Sequence, residues 1–335
     1  MTTTVFTDID WDKPGKQVGT LNLPHSPDDD AWGVIPFPAV SIRNGDGPVV
    51  VLCGAVHGDE FEGPVVIAEL IRHIRPEDVQ GHLIMLPAFN APALRAGRRT
   101  SPIDRFNLNR TFPGDDFGAP TQQIARYVAD NLFARATHHV DLHAGGRTLI
   151  IQPSVHVVLA EGMDPELVEA NARMADAFGI DLTVKMSNMG DYRTSAGYTT
   201  SRGIPTLSAE MGMAGWVTGA SVQRTRDATR RLLKHIGVLP RIATVPGVKT
   251  RWTRIAGPSA YIFAPCDGTF ERRFELGDRI ETGQLAGLMH HLARPELEPE
   301  PVYFKSSGTL YAHGLVGHVR AGQNLAVLTE DVAAP

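Results

Sequence analysis

The sequence predicts an α/β protein, with a mixed, largely parallel sheet flanked by helices and a smaller β-rich unit at the C-terminus. Three observations lead there. The run Val49 to Leu52 is apolar without alternation, which marks a strand buried on both faces, as central strands of parallel sheets are. Short apolar runs then alternate with helical stripes as far as His235, the rhythm of successive strand-helix units. From about Val245 the helical pattern ends, and residues 262 to 328 repeat at an offset of 40. Single cores stop growing at roughly 250–300 residues. The 335-residue chain is therefore divided into a larger domain over 1–245 and a β-rich domain over 246–335.

In chain order, residues 1 to 48 form extended edge pieces, Val18 to Leu23 and Trp32 to Ile42, separated by Pro24, Pro36 and Pro38 and closed by the turn Asn44-Gly45-Asp46-Gly47. The Val49 strand breaks at Gly54. Pro64, after Gly63, suits a first helical position, and Val65, Val66, Ile67, Leu70, Ile71 and Ile74 make a stripe that stops before Pro76. Leu83 to Leu86 is the next strand. Asn90 to Gly118 is rich in Arg, Asn, Pro and Gly, and a loop of that length in a compact domain points to function. Thr121 caps a helix to about Ala136, and His139 to His143 is a strand running out into Gly145-Gly146. Leu149 to Ile151 and Val155 to Leu159 are strands, Asp164-Pro165 opens a helix that Gly179 closes, and Leu182 to Val184 is extended. Ile204 to Gly212 passes from strand to loop and delivers Glu210, and Ser221 to His235 is an amphipathic basic helix stopped by Gly237.

In the C-terminal unit Gly268-Thr269-Phe270 matches Gly308-Thr309-Leu310, Gly277 matches Gly317, and Leu285-Ala286 matches Leu325-Ala326. This duplicated unit resembles the barrel-sandwich scaffold of biotinyl and lipoyl carriers. Lys305 does not lie at a matching hairpin tip, so the resemblance extends to the scaffold and not to carriage. Ala293 to Pro301 is a Pro/Glu-rich solvated connection.

A net charge of -5 and 21% charged residues give no electrostatic reason to expect nucleic acid. A small polar substrate is the natural partner. No apolar run approaches the roughly 20 residues that span a bilayer, and the N-terminus lacks a signal-peptide pattern. The expectation is a cytoplasmic protein without membrane contact; a homo-oligomer is left open. Cys53 and Cys266, far apart and outside any C-x-x-C pattern, are taken as packing thiols.

Catalytic zinc sites use three N/O ligands and leave a position open. His57 and Glu60, bracketed by Gly54 and Gly58 at one strand end, and His143, at another, supply that count for one ion. The chemistry also needs a base, and Glu210, at a third strand end and followed by Gly212, is the candidate. The loop Arg99 to Arg110 offers cations and amides for anions. Arg110 with Asn109 suits a substrate carboxylate, because guanidinium forks onto it, and Arg99 suits a developing oxyanion. The other histidines are left as surface or packing residues.

His57-x-x-Glu60, Asn107-Leu108-Asn109-Arg110-Thr111-Phe112-Pro113-Gly114, Asp141-Leu142-His143 and Ser208-Ala209-Glu210-Met211-Gly212 together resemble the succinylglutamate desuccinylase and aspartoacylase family, related to the zinc carboxypeptidases. The resemblance spans about residues 45 to 330. Within the family, His57 to Pro64, Arg99 to Asp104 and Asp141 to Gly146 are most similar to the N-alpha-acetyl-L-2,4-diaminobutyrate deacetylases of ectoine breakdown. It implies a carboxypeptidase-like fold, zinc at His57, Glu60 and His143, Glu210 as general base and acid, Asn109 and Arg110 on the substrate carboxylate, and a gating tyrosine for which Tyr311 is the candidate. The implied activity is zinc-dependent hydrolysis of a small N-acyl amino acid, releasing acetate. Other acyl-amino-acid hydrolases of succinylglutamate desuccinylase or aspartoacylase type, or a zinc carboxypeptidase, are the near alternatives. A non-catalytic metal-binding or carrier-like module is the alternative from another class.

Overall fold

At the N-terminal edge β1 (Gly15–Pro24) and β2 (Val34–Asn44) pair antiparallel along their length. The computed structural model describes residues 3–160, 162–187 and 191–335. β3 (Val49–Gly54) leads through a glycine-rich loop into α1 (Glu62–His73), and β4 (Gly81–Leu86) lies parallel to β3. The helix begins at Glu62, so Pro64 lies within its first turn rather than at its first position. α2 (Ala91–Ala96) and α3 (Pro120–Asn131) precede β5 (His138–His143), which is parallel to β3 on its other side. Then follow β6 (Leu149–Ile151), β7 (Ser154–Val158), α4 (Pro165–Phe178), β8 (Leu182–Met186), α5 (Ser195–Ser201), β9 (Thr206–Glu210) and α6 (Gly219–Ile236). The sheet runs β1-β2-β4-β3-β5-β9-β7-β8, parallel through β4, β3, β5 and β9, with β7 antiparallel to β9. This is a mixed α/β sheet with helices on both faces.

The unbroken apolar run of β3 has its reason in that layering. Val50 and Leu52 pack beneath α1, α4 and α6 with Ile67, Phe178 and Leu232, while Val51 and Cys53 face Ile124, Val128 and Phe133 on the α3 side. Burying one such aliphatic side chain stabilises by about 1.5–3 kcal/mol, so both alternating sets contribute.

The loop between β4 and β5 holds more helix than its composition suggests. Asn90 caps α2 with its side-chain oxygen, Gly97 ends it in the left-handed region at φ 56, and Leu108–Arg110 forms a short 3-10 turn. Thr121 lies inside α3, not at its cap. Asp104, from that loop, accepts from the Thr121 backbone N at 2.7 Å and its Oγ1 at 2.9 Å, and so supplies the anion that the helix start favours. α5, capped by Thr194, also escapes sequence reading.

After α6, β10 (Arg251–Arg254) is parallel to β8. β11 (Tyr261–Phe263), β12 (Gly268–Arg272), β13 (Arg279–Ile280), β14 (Leu285–His290), β15 (Glu300–Tyr303), β16 (Gly308–Gly314), β17 (His318–Val319) and β18 (Asn324–Asp331) complete the chain. The two repeats exchange strands: β12 pairs β14 and β16 pairs β18, while β13 joins β16 and β17 joins β12. Around them lies a separate core with Ile262, Phe274, Phe304, Leu310 and Leu328. β10 pairs β18, and β6 pairs β16, so the large sheet continues into the C-terminal strands. No helix among the described residues is long and apolar enough to cross a membrane.

Two interior histidines couple this fold to pH. His82, 3% exposed and bonded to Ser41 Oγ at 2.8 Å, and His139, fully enclosed and bonded to Thr199 Oγ1 at 3.0 Å, are both pushed down to about 4, chiefly by burial. The unfolded chain takes up their protons near pH 6.5 while the folded chain refuses them until about 4. Stability is therefore full above about pH 6.5 and falls as pH drops toward 4, with each group worth roughly 3 kcal/mol across that window. Tm followed from pH 7.5 to 4.5 should fall steeply below about 6.5; a flat profile would contradict the assignment.

Candidate active site

The carboxyl ends of β3, β5 and β9 lie side by side, where ligands of open α/β sheets bind. Parallel register sets Gly54 opposite Leu142 and His143 opposite Glu210. Beyond Gly54 the chain is pinned against the end of β4 by hydrogen bonds from Phe89 N to Gly54 O and from Asn90 N to Ala55 O. A Cβ on Gly58 would fall 2.0 Å from the Ala93 backbone carbon, so only glycine lets this loop lie against α2. The loop turns there and α1 begins at Glu62, which leaves His57 and Glu60 at the sheet edge.

Glu60 bridges the two histidines. Its Oε1 lies 2.7 Å from His57 Nδ1 and its Oε2 2.7 Å from His143 Nδ1, with imidazole centroids 5.0 Å apart. All three side chains are buried, and their ligating atoms lie within 4.8 Å of one another. His143 Nε2 hydrogen-bonds the fully buried Asp141 at 3.0 Å, and His57 Nε2 bonds Asn107 Oδ1 at 3.2 Å. Both imidazoles thus present Nδ1 inward with Nε2 held from behind, the arrangement that orients metal-binding histidines. Two imidazoles and a carboxylate suit zinc, and their convergence in a closed space fits a single ion.

Glu210 stands beside this trio. Its Oε2 is buried and has no hydrogen-bond partner among the described residues. Burial first, then the Glu60 charge, pushes Glu210 up to about 7. A carboxyl in that range can take and return a proton near neutral pH.

The arginine loop reaches the same place. Arg99 Nη1 lies 3.6 Å from Glu60 Oε1 and 3.3 Å from His57 Nδ1, so its guanidinium borders the ligand cluster. Asn109 turns inward: its Oδ1 accepts from Ser195 N at 2.8 Å and its Nδ2 lies 3.4 Å from His143 Nε2. Arg110 donates to Asn109 O at 2.6 Å, and burial, then the neighbouring Arg99 charge, lowers its pKa. The structure thus brings together the residues named from the sequence, His57, Glu60, His143, Glu210, Arg99, Asn109 and Arg110.

Residues 46–236 match the family model described as the succinylglutamate desuccinylase/aspartoacylase catalytic domain. The chain belongs to this family. It is 33% identical to the N-alpha-acetyl-L-2,4-diaminobutyric acid deacetylase of Halomonas elongata, covering 97% of this chain and 94% of that protein. The product-bound structure of the ectoine utilization protein EutE (DoeB) from Ruegeria pomeroyi superposes with a TM-score of 0.91 at 33% identity, over 98% of this chain and 99% of that one. A succinylglutamate desuccinylase structure from Silicibacter gives 0.92 at 34% identity, over 98% and 99%.

In this member of the desuccinylase/aspartoacylase family several site residues were not legible in the sequence. Asp141 stands in a quoted motif, but its function as the support of His143 emerges only in three dimensions, where Ser195 Oγ also donates to it. Gly212 lies directly against a buried carboxylate. A Cβ there would meet the Glu62 carboxylate at 2.0 Å, and Glu62, 1% exposed, accepts from Ser221 Oγ at 2.9 Å. The glycine makes room for a buried carboxylate.

Tyr311 is 3% exposed, and its hydroxyl hydrogen-bonds Ser154 Oγ at 2.7 Å and His156 Nε2 at 2.5 Å. Ser154 pairs with Glu210 across β7 and β9. Burial, then the Glu210 charge, holds the phenol well above its usual range. In this structure Tyr311 is an interior residue near Glu210, held by hydrogen bonds to Ser154 and His156.

Proposed function

We propose that the chain is a zinc-dependent hydrolase that deacetylates N-alpha-acetyl-L-2,4-diaminobutyrate to L-2,4-diaminobutyrate and acetate. The observation that carries this is the closed His57–Glu60–His143 cluster with Glu210 in register beside His143. Likeness to a deacetylase of that name over nearly the whole chain supports the substrate, and likeness to EutE supports a place in ectoine use. The two unpaired cysteines suit a cytoplasmic setting. We read the C-terminal strands from 246 to 335 as a barrel-sandwich-type domain, a reading supported by the strand exchange between its two repeats.

His57, Glu60 and His143 would hold the ion, whose bound form supplies Lewis acidity toward the amide carbonyl and the attacking water. Glu210 takes a proton from that water as its oxygen bonds to the acyl carbon. Arg99, bordering the cluster, faces the negative charge that develops on the carbonyl oxygen. Glu210 then delivers the proton to the α-nitrogen as the C–N bond breaks, so that acetate and the free amine leave. Arg110 and Asn109 hold the α-carboxylate and set the amide against the base.

The test is a substrate profile of the zinc-loaded protein. Acetate release from N-alpha-acetyl-diaminobutyrate should exceed hydrolysis of succinylglutamate, of N-acetylaspartate and of the gamma-acetyl isomer by at least about tenfold in kcat/KM, and chelation should abolish it. A preference for a succinyl or aspartyl substrate would assign another reaction of the family. Full activity in the presence of a strong chelator would remove the metal from the mechanism.

A further inference from the structure

A second cluster of ligating side chains lies far from the first in sequence, in the C-terminal strands. Cys266 precedes β12, His291 directly follows β14, and Glu300 opens β15. Antiparallel pairing sets Thr269 opposite His290 and Glu300 opposite Met289, so one end of the four-stranded sheet β15-β14-β12-β17 collects all three residues. Cys266 Sγ lies 3.8 Å from Glu300 Oε2, and the ligating atoms of Cys266, His291 and Glu300 all fall within 4.8 Å of one another. Two ligands bonded to one tetrahedral zinc at about 2.3 Å for sulfur and about 2.0 Å for oxygen stand roughly 3.5 Å apart, close to the observed separation. Cys266 and His291 are half-buried, whereas Glu300 is exposed.

We propose that Cys266, His291 and Glu300 form a second divalent-metal site, selective for a thiophilic ion such as zinc. A thiolate, an imidazole and a carboxylate make a donor set that hard cations such as magnesium and calcium do not favour. Three protein ligands leave one position to solvent. His291 precedes the Ala293 to Pro301 connection and Glu300 lies at its far end, so a bound ion would staple the ends of that connection and fasten β15 to β14. The charge pattern of the segment thereby acquires a use: Glu300 ends the acidic run as a ligand rather than as a solvated charge. The site is independent of the proposed deacetylase chemistry, because none of its residues belongs to the β3, β5 and β9 edge.

The experiment uses the folded protein with its first site filled with zinc, and titrates it with cobalt(II) and, separately, with zinc. A cobalt-thiolate complex absorbs in the near ultraviolet by charge transfer from sulfur, and the catalytic cluster has no thiolate to give that band. Wild type should develop the band with one further equivalent of cobalt and should take up one further equivalent of zinc by calorimetry. Cys266→Ser should lose the band, His291→Ala should weaken uptake at least about tenfold, and Cys53→Ala should retain both. Acetate release by Cys266→Ser and His291→Ala should stay within about twofold of wild type. The absence of the band and of further zinc uptake in wild type overturns the proposal, as does a band that survives in Cys266→Ser.

Discussion

Glu210→Gln should lower kcat for acetate release at least about a hundredfold while leaving the zinc content and KM near wild type. The expectation rests on position. β9 delivers Glu210 opposite His143, and the carboxyl is close enough to Glu60 for that charge to help raise it to about 7, but it is not one of the three clustered ligands. A bound dication would draw the value down from there, toward the ionised form that accepts a proton. Glutamine keeps the size and the hydrogen-bonding oxygen and loses the ability to hold the proton between attack and departure. Elemental analysis and steady-state kinetics on the same preparation separate the possible results. Loss of zinc would make Glu210 a ligand, and wild-type turnover would move the base elsewhere.

Much of this site was legible because its parts sit at strand ends that announce themselves. Val49 to Leu52 is apolar at every position since both faces of β3 are covered, and the glycines that end the run carry His57 and Glu60 outward. His143 and Glu210 close strands whose apolar residues are as plain. What escaped depends on distance in sequence or on short elements. α2 has only six residues and no room for a stripe, although Asn90, Pro92 and Gly97 spell its beginning and end. α5, of sequence SAGYTTS, buries Ser195, Gly197, Thr199 and Thr200, so hydrophobic periodicity cannot find it. That helix places Ser195 against Asp141, a contact across 54 positions that no local pattern encodes. Tyr311 reaches Ser154 across 157 positions in the same way. Cys266 and His291 look like isolated residues until the antiparallel pairing of β12, β14 and β15 brings them to one edge.

Asp141→Asn should weaken zinc binding about 10–100-fold, with activity recovering in part at high zinc. In the native arrangement Asp141 Oδ2 receives both Ser195 Oγ and His143 Nε2, while Oδ1 is buried with no partner among the described residues. Burial opposes ionisation of Asp141, but the His143 charge and hydrogen bond outweigh it and hold the carboxyl below its usual range. With the ion bound, that acceptor would keep the proton of His143 on Nε2 and leave Nδ1 free to ligate. Asparagine has two orientations, and each costs something different. With its amide nitrogen toward His143 it sets donor against donor, which favours the tautomer carrying hydrogen on Nδ1 and closes the ligand position. With its oxygen toward His143 it keeps the hydrogen bond, loses the charge, and buries an amide N–H where Oδ1 now has no partner, a penalty of about 1–3 kcal/mol. Competition with a chromophoric chelator measures the affinity, and thermal unfolding of the metal-free proteins reports the second cost separately. Unchanged zinc affinity would show that Asp141 supports the fold of β5 and α5 without tuning the ligand.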